Sequence, residues 1–246
     1  MLNLHRIIGF VYRKSEALIR PFLYHREKRR VLKRYPDLSP VMDAYEKHYI
    51  RVEYGAHDRS LMERIQRKMT DLDEFVYGST PWSAFIKITD QMKISSEDVF
   101  IEPGCGTGHL CFFMNQVFAV KSLGFEVISN FVETGNQIRK DLQEAPESRA
   151  QLNSNQIQKL EKIAFYNLDF FTCDFSRGSI FYIAGTCFPD DYRDKLVEKI
   201  YKEGKKNCTL ITLTHELEHE GFELVSQVES VFSWGRDKAL IYRKIS

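Results

Sequence analysis

The segment at residues 98–109 places the strongest limit on how this chain can fold. It reads Asp-Val-Phe-Ile-Glu-Pro-Gly-Cys-Gly-Thr-Gly-His, so that a short apolar run, Val99 to Glu102, leads directly into three glycines, Gly104, Gly106 and Gly108. Such a run predicts a buried strand, and the glycines let the backbone turn sharply after it and come close to a ligand. The segment therefore predicts an α/β fold with a nucleotide-type cofactor at the end of a strand.

The spacing of the glycines separates two classes of cofactor. A dinucleotide-binding loop reads Gly-x-Gly-x-x-Gly, and its third glycine would have to stand where this chain has His109. In addition, Glu102 at the end of the strand would repel a pyrophosphate but attract a cationic amino group. These features favour S-adenosylmethionine, and a nicotinamide oxidoreductase is the disfavoured alternative.

A second acid follows at the distance that a ribose contact requires. The run Ser122 to Val127 predicts the next strand, and Glu126 near its end lies 24 residues after Glu102. In nucleotide-binding sheets, an acid about 20 residues beyond the glycine loop accepts hydrogen bonds from ribose hydroxyls. Glu126 is therefore the expected ribose ligand.

Strand and helix patterns alternate through the rest of the chain. Strands are predicted near residues 98–102, 122–127, 164–168, 179–184 and 208–214, and helices near 82–92, 107–118, 129–143, 152–163 and 190–203. Two last strands, near 222–231 and 238–244, flank a tight turn at Trp234-Gly235. Alternating β and α elements predict a mostly parallel sheet.

Taken in order, these segments resemble a class I S-adenosylmethionine-dependent methyltransferase. Within that superfamily they are most similar to the non-SET histone-lysine methyltransferases and their bacterial relatives. The matching segments are Val76–Thr80, Glu102–Gly108, Gly124–Glu126, Asp169-Phe170, Ile180–Phe188 and Ser233–Gly235. The resemblance implies a doubly wound, mostly parallel seven-stranded sheet with a closing hairpin. It also implies methyl transfer from S-adenosylmethionine to an unidentified acceptor, such as a protein lysine or another amine.

The resemblance also implies a set of cofactor-binding residues. They are Tyr77, Gly78 and Thr80 over the methionine end, Glu102, Gly104, Cys105, Gly106 and Gly108 in and before the glycine loop, Glu126 at the ribose, and Asp169 with Phe170 at the adenine. Asp174-Phe175 is an alternative adenine pair five residues later.

The acceptor pocket is predicted from topology, because ligands of such sheets lie outside the carboxyl ends of the strands. Thr186, Cys187 and Phe188 follow the fourth parallel strand and are expected to line this pocket. Trp82 and Trp234 are further candidates, with packing in the core or in a lid as the alternative. His215, just past the fifth strand, is a candidate for assisting proton removal from an amine, with an ordinary exposed loop histidine as the alternative.

Two features keep other functions open. The family's first loop carries a glutamate where this chain has Ser79, and an Asn-x-Phe segment is replaced by Gly185-Thr-Cys-Phe188. A catalytically silent binding or scaffold domain is therefore the alternative to an enzyme.

The His-Glu-x-x-His pattern at 215–219 is typical of zinc hydrolases when it lies on a helix. Here it directly follows a strand and is closed by Gly221, so we expect a polar strand-to-helix connection and no metal.

The charge distribution marks out the N-terminus. The chain carries a formal net charge of +1, but residues 1–34 hold ten Lys and Arg against two Glu. The sequence predicts helices near residues 2–20, 22–34 and 41–75, which gives a basic helical extension over residues 1–75 and a methyltransferase domain over 76–246. Residues 1–35 could bind an anionic partner, namely nucleic acid, phospholipid headgroups or an acidic protein. The alternative is a solvated helix pair that covers the sheet domain.

The cysteines and the apolar runs bear on the cellular compartment. Five cysteines without a Cys-x-x-Cys spacing predict reduced thiols and a cytoplasmic protein. The longest uncharged run, Pro103 to Val120, contains three glycines and coincides with the cofactor motif, so no transmembrane segment is expected.

Overall fold

A computed structural model describes residues 21–50, 63, 79–185 and 188–245 of the chain. Within this part, seven strands form one sheet. They are β1 (Val99–Pro103), β2 (Lys121–Phe125), β3 (Ile163–Tyr166), β4 (Ile180–Ile183), β5 (Thr209–Leu213), β6 (Phe222–Phe232) and β7 (Gly235–Lys244). The strand order is β3-β2-β1-β4-β5-β7-β6. This arrangement confirms the predicted seven-stranded sheet.

Helices cover both faces of the sheet. They are α1 (residues 21–32), α2 (Ser39–Tyr45), α3 (Trp82–Thr89), α4 (His109–Phe118), α5 (Ser129–Glu144), α6 (Pro146–Arg149), α7 (Ser154–Leu160) and α8 (Asp190–Glu203). Short 3-10 helices span Pro36–Leu38 and Phe170–Thr172, and a π-helical turn spans Glu46–Ile50. None of the helices in the described ranges is both long enough and apolar enough to span a bilayer.

The strand pairing locates the binding edge of the sheet. β1 pairs in parallel with β2 on one side and with β4 on the other, and β7 runs antiparallel between β5 and β6. β2 and β3 are therefore added on one side of β1, and β4 and β5 on the other side, so the strand order reverses between β1 and β4. In a doubly wound sheet, ligands bind at the carboxyl ends of the strands where this reversal occurs. Glu102 lies at that position on β1.

The core consists of one apolar layer on each face of the sheet. Neighbouring β1 residues point to opposite faces, so Phe100 packs in one layer and Ile101 in the other. Every residue of β1 is buried, as expected for a central parallel strand. The layer around Phe100 also contains Phe85, Phe113 and Tyr182.

The described N-terminal residues share this core. Leu38, Val41, Met42 and Tyr45 are buried in the same layer as Phe85. The predicted helix at 2–20, most of the predicted helix at 41–75 and the domain boundary at 75/76 lie outside the described residues. The division into two domains therefore stays a prediction.

Most element bounds differ from the predicted ones by a few residues. β3 ends at Tyr166 and not near residue 168, because the chain then turns toward the 3-10 helix at Phe170. α7 begins at Ser154, where Asn153 and Gln156 form a reciprocal capping box. β7 begins at Gly235, three residues before the predicted start, since it pairs with β6 up to the turn.

Candidate functional site

The glycine loop adopts the backbone conformation that its sequence predicts. Gly104, Gly106 and Gly108 have φ values of 73°, 54° and 75°, in the left-handed region where side chains are disfavoured. The loop folds back on the end of β2, since the Gly104 N–H donates to the Phe125 carbonyl at 2.7 Å. A Cβ on Gly108 would lie 1.9 Å from the Phe165 ring. This position therefore needs glycine for space as well as for conformation.

Cys105 is buried between these glycines. Its thiol donates to the Gly106 carbonyl at 3.6 Å, and burial raises the pKa of the thiol well above its usual value. A Cβ on Gly124 of β2 would lie 2.6 Å from the Cys105 sulfur. Cys105 is therefore a packing contact between the loop and β2 and remains a neutral thiol.

Glu102 is a buried acid at the end of β1. Its side chain is 4% exposed, and the Cys111 thiol donates to one carboxylate oxygen at 3.3 Å. Burial raises the pKa of Glu102 to about 8, and the nearby Glu126 contributes in the same direction. No described residue supplies a cation to this carboxylate. A buried acid in such an environment is suited to bind a cationic ligand.

Glu126 lies just past the end of β2 and connects two loops. One carboxylate oxygen accepts the Gly106 N–H at 3.0 Å, and the other accepts the Ile128 N–H at 2.9 Å. Burial raises the pKa of this carboxyl, and the backbone donors partly offset the shift. Each oxygen keeps a second acceptor site, so a ribose hydroxyl could be bound in addition.

The segment around Thr80 is held against the glycine loop by polar contacts. Thr80 shares a 2.6 Å hydrogen bond with the Tyr182 hydroxyl on β4, and its carbonyl accepts from His109 Nε2 at 2.8 Å. His109 must therefore carry its proton on Nε2. Burial lowers the pKa of His109 to about 4, which keeps the ring neutral. Tyr77 and Gly78 lie outside the described residues.

The two candidate adenine pairs differ in their contacts, although both aspartates are exposed and both rings are buried. The exposed Asp169 accepts the Phe171 N–H at 2.9 Å and so caps the 3-10 helix, while Phe170 packs among aromatic rings. Asp174 instead accepts from Ser176, and Phe175 is fully buried in the core. Phe170 is 4% exposed and packs against Phe188, which borders the glycine loop, whereas Phe175 packs against Phe181 of β4.

Of the three predicted acceptor-pocket residues, Phe188 is described, whereas Thr186 and Cys187 lie outside the described residues. The Phe188 ring lies 3.3 Å from the position of a Cβ on Gly104, so it borders the glycine loop. It also contacts Phe170 and Tyr192, with ring centroids 5.9 and 5.8 Å away.

The two tryptophans have different environments. Trp82 is 5% exposed and packs edge-on against Tyr45 and Phe113, so it belongs to the core. Trp234 is 39% exposed in the turn between β6 and β7, where its indole N–H donates to Asp237 at 2.9 Å.

Tyr45 and Glu63 contact residues of the site that are far from them in sequence. The Tyr45 hydroxyl donates to the Thr107 carbonyl in the glycine loop at 2.6 Å. The Glu63 carboxylate accepts from the Ser129 N–H at 2.9 Å and from the Ser129 hydroxyl at 3.0 Å, and so caps α5. No local motif indicates either contact.

A cleft of about 1050 Å³ opens beside the contact between Tyr45 and Thr107. It reaches Thr80, Thr107 and His109 at one end, and its walls carry the aromatic residues Tyr24, Tyr45, Tyr49, Trp82 and Phe232. Three cations, Arg26, Arg30 and Lys87, also line it. Its acid, Glu27, accepts from the Ser83 N–H at 2.6 Å and from the Ser83 hydroxyl at 3.0 Å. Sequence patterns gave no indication of this cleft.

The His-Glu-x-x-His segment does not form a helix. It is an irregular connection between β5 and β6, so the predicted strand-to-helix connection was wrong: the chain continues into another strand. His215 is exposed, and His219 Nε2 lies 3.1 Å from Glu198 on α8. The described residues contain no cluster of three potential metal ligands.

Comparison with known families identifies the group to which this arrangement belongs. The model of the family "Histone methylation protein DOT1" matches residues 61–242. This chain belongs to the DOT1 family. Membership confirms the predicted similarity to the non-SET histone-lysine methyltransferases, and with it the S-adenosylmethionine-dependent methyltransferase class.

Individual relatives of this DOT1-family chain are distant. It is 28% identical over 129 residues to the "Histone-lysine N-methyltransferase, H3 lysine-79 specific" of Dictyostelium discoideum. The aligned region covers 49% of this chain but 6% of that protein, so the chain spans a small part of its relative's length.

A solved structure confirms the predicted fold. An RNA methyltransferase from Salinibacter ruber, in complex with S-adenosyl-L-homocysteine, superimposes with a TM-score of 0.53 at 12% identity. The match covers 68% of this chain and 94% of that one. A methyltransferase from Pyrococcus furiosus gives a TM-score of 0.49 at 15% identity, over 76% and 97% of the two chains.

Proposed function

We propose that this chain transfers the methyl group of S-adenosylmethionine to the side-chain amine of a lysine in a protein. The observation that carries the proposal is the pair of buried carboxylates, Glu102 and Glu126, on either side of a glycine loop in a DOT1-family chain. The relative in Dictyostelium discoideum, named for H3 lysine 79, supports a lysine acceptor.

The charges of the site fit this cofactor better than they fit a dinucleotide. Glu102 has no cationic partner among the described residues, and an amino group at this position would compensate the buried carboxylate. A pyrophosphate there would instead meet two buried acids. In this proposal Glu126 accepts the ribose hydroxyls, and its bond to the Gly106 N–H supports this role because the same acid also holds the glycine loop.

S-adenosylmethionine supplies an electrophilic methyl group on a sulfonium, so the protein's main tasks are alignment and exclusion of water. Phe188 and Phe170 provide apolar surface beside the glycine loop for this purpose. Thr80 is fixed by its hydrogen bonds to Tyr182 on β4 and to His109 at the start of α4.

The aromatic cleft is the proposed entrance for the acceptor. It extends from the exposed surface to Thr80 and Thr107. The half-buried Tyr24 and Tyr49 offer apolar surface in this cleft to the aliphatic stem of a lysine. An apolar environment also lowers the pKa of an amine, which favours the neutral form that can attack a methyl group. Both oxygens of Glu27 are already bonded to Ser83, so this acid is engaged in fixing α3.

We also propose that the chain acts in a reducing compartment, the cytoplasm. The four described cysteines, Cys105, Cys111, Cys173 and Cys208, are free thiols with buried side chains. Burial raises the pKa of all four thiols above its usual value, which keeps them neutral.

The proposal is tested by incubating the purified chain with tritiated S-adenosylmethionine and two protein mixtures, core histones and a lysate. Acid hydrolysis of labelled protein should release methyl-lysine. Glu102→Gln should abolish the label, whereas Glu97→Gln, an exposed acid just before β1, should leave it unchanged. Cofactor binding without transfer to any acceptor would favour the scaffold function. Label in nucleic acid alone would contradict a protein acceptor.

A further inference from the structure

We propose that α1 docks the protein on an anionic phospholipid surface. Leu23, Arg26 and Arg30 of this helix also line the aromatic cleft, but the inference requires no methyl transfer and is tested without it. It concerns one exposed face of the helix, here named the basic face, which consists of Phe22, Leu23, Arg26, Arg29, Arg30 and Lys33.

The basic face is continuous. At about 100° per residue, its six members fall within an arc of roughly 120° around the helix axis. All six are exposed, and the arc contains no acid. Its four cations form no ion pair with any residue in the described part of the chain. Residues outside 1–34 carry a net negative charge, so this face is a local positive region of the surface.

The opposite face of α1 fixes the helix on the domain. Val31 is fully buried, and the Tyr24 hydroxyl donates to the Met42 carbonyl at 2.6 Å. Lys28 pairs with Asp43 and Glu46 on and after α2. The helix therefore cannot rotate to bury the basic face without breaking these contacts.

Two apolar side chains favour a lipid surface over a nucleic acid. Phe22 and Leu23 are 60% and 54% exposed at the N-terminal end of the basic face. A duplex would satisfy the arginines but would leave both side chains in water or against phosphates. A bilayer interface accepts both, since amphipathic helices insert Phe and Leu at the acyl boundary while Lys and Arg bind anionic headgroups.

The test is co-sedimentation of the full chain with vesicles of phosphatidylcholine alone or with about one third phosphatidylglycerol. We expect retention on the anionic vesicles and none on the neutral ones. Arg29→Glu combined with Lys33→Glu should weaken retention at least about tenfold. The control, Lys205→Glu with Lys206→Glu, removes two exposed cations elsewhere and should retain full binding.

A second variant separates the bilayer from nucleic acid. Phe22→Ser should weaken retention on anionic vesicles about threefold or more and leave binding to duplex DNA unchanged. Circular dichroism confirms that each variant is folded. The proposal is overturned if the chain does not bind anionic vesicles, if Phe22→Ser binds them as the parent chain does, or if DNA displaces the vesicles at equal phosphate concentration.

Discussion

The Glu126 carboxylate accepts a hydrogen bond of 3.0 Å from the backbone N–H of Gly106. This bond joins the acid after β2 directly to the glycine loop after β1. The other Glu126 oxygen accepts the Ile128 N–H, just before α5. The residue proposed to bind the ribose therefore also holds the loop that surrounds the cofactor, so binding can begin from a preformed site.

Glu126→Gln should weaken binding of S-adenosylmethionine by tenfold or more. The Gly106 and Ile128 N–H groups are bonded to different carboxylate oxygens, and glutamine replaces one of these oxygens by an NH2 donor, so one buried N–H loses its acceptor. Calorimetric titration measures the affinity. Glu133→Gln, an exposed acid on α5, is the matched control and should bind normally. Equal affinity of the two variants would contradict the proposed role of Glu126.

Tyr45→Phe should weaken cofactor binding through the loop, since it removes the donor to the Thr107 carbonyl. Tyr24→Phe removes a bond of the same 2.6 Å length, to the Met42 carbonyl, that does not involve the loop. Each variant should lower the free energy of unfolding by about 1 kcal/mol. The affinity for S-adenosylmethionine, measured by calorimetric titration, should fall for Tyr45→Phe alone. A parallel fall in Tyr24→Phe would mean that the effect is global.

Gly108→Ala should destabilise the fold more strongly than Gly235→Ala. Both glycines have positive φ values, 75° and 128°, so both substitutions strain the backbone. At Gly108 the new Cβ would also meet the Phe165 ring, whereas at Gly235 it would meet nothing within 4 Å. Urea denaturation should give a loss of about 3 kcal/mol or more at Gly108. Equal losses at the two sites would show that the loop can move away from Phe165.

The pH dependence of stability should report the buried acid Glu102. Its pKa is about 8 in the fold, against 4.5 for an exposed glutamate, so the folded state retains a proton that the unfolded state releases. This contribution is fully present below about pH 4.5 and is lost as the pH rises to about 8. Glu102→Gln should remove this decline, so its midpoint of thermal unfolding should exceed that of the parent at about pH 8. A parallel pH profile of the two proteins would contradict the shift.

The fold and the centre of the site could be predicted because their signals are local. The strand before Gly104 and the spacing to Glu126 depend on neighbouring residues and on the regular succession of strands. The position of His109 disfavours a dinucleotide, but nothing in the sequence indicates the bond of His109 to the Thr80 carbonyl. That contact depends on how two distant segments pack.

The contacts that Tyr45 and Glu63 make could not be predicted, because they too depend on how distant segments pack. The bond from Tyr45 to Thr107 spans 62 residues, and the capping of Ser129 by Glu63 spans 66. A tyrosine or a glutamate at these positions is ordinary in sequence, and only the folding of distant segments against each other gives it a partner. The irregular path of residues 215–219 was missed because a strand-to-strand connection and a short helix have similar polar sequences.

The crystal structure of this chain with S-adenosylhomocysteine tests the central claim most directly. The account predicts that the ribose hydroxyls lie within hydrogen-bond distance of the Glu126 carboxylate and that the amino group of the ligand lies beside Glu102. A ribose elsewhere on the sheet, or an amino group with no contact to Glu102, would contradict it.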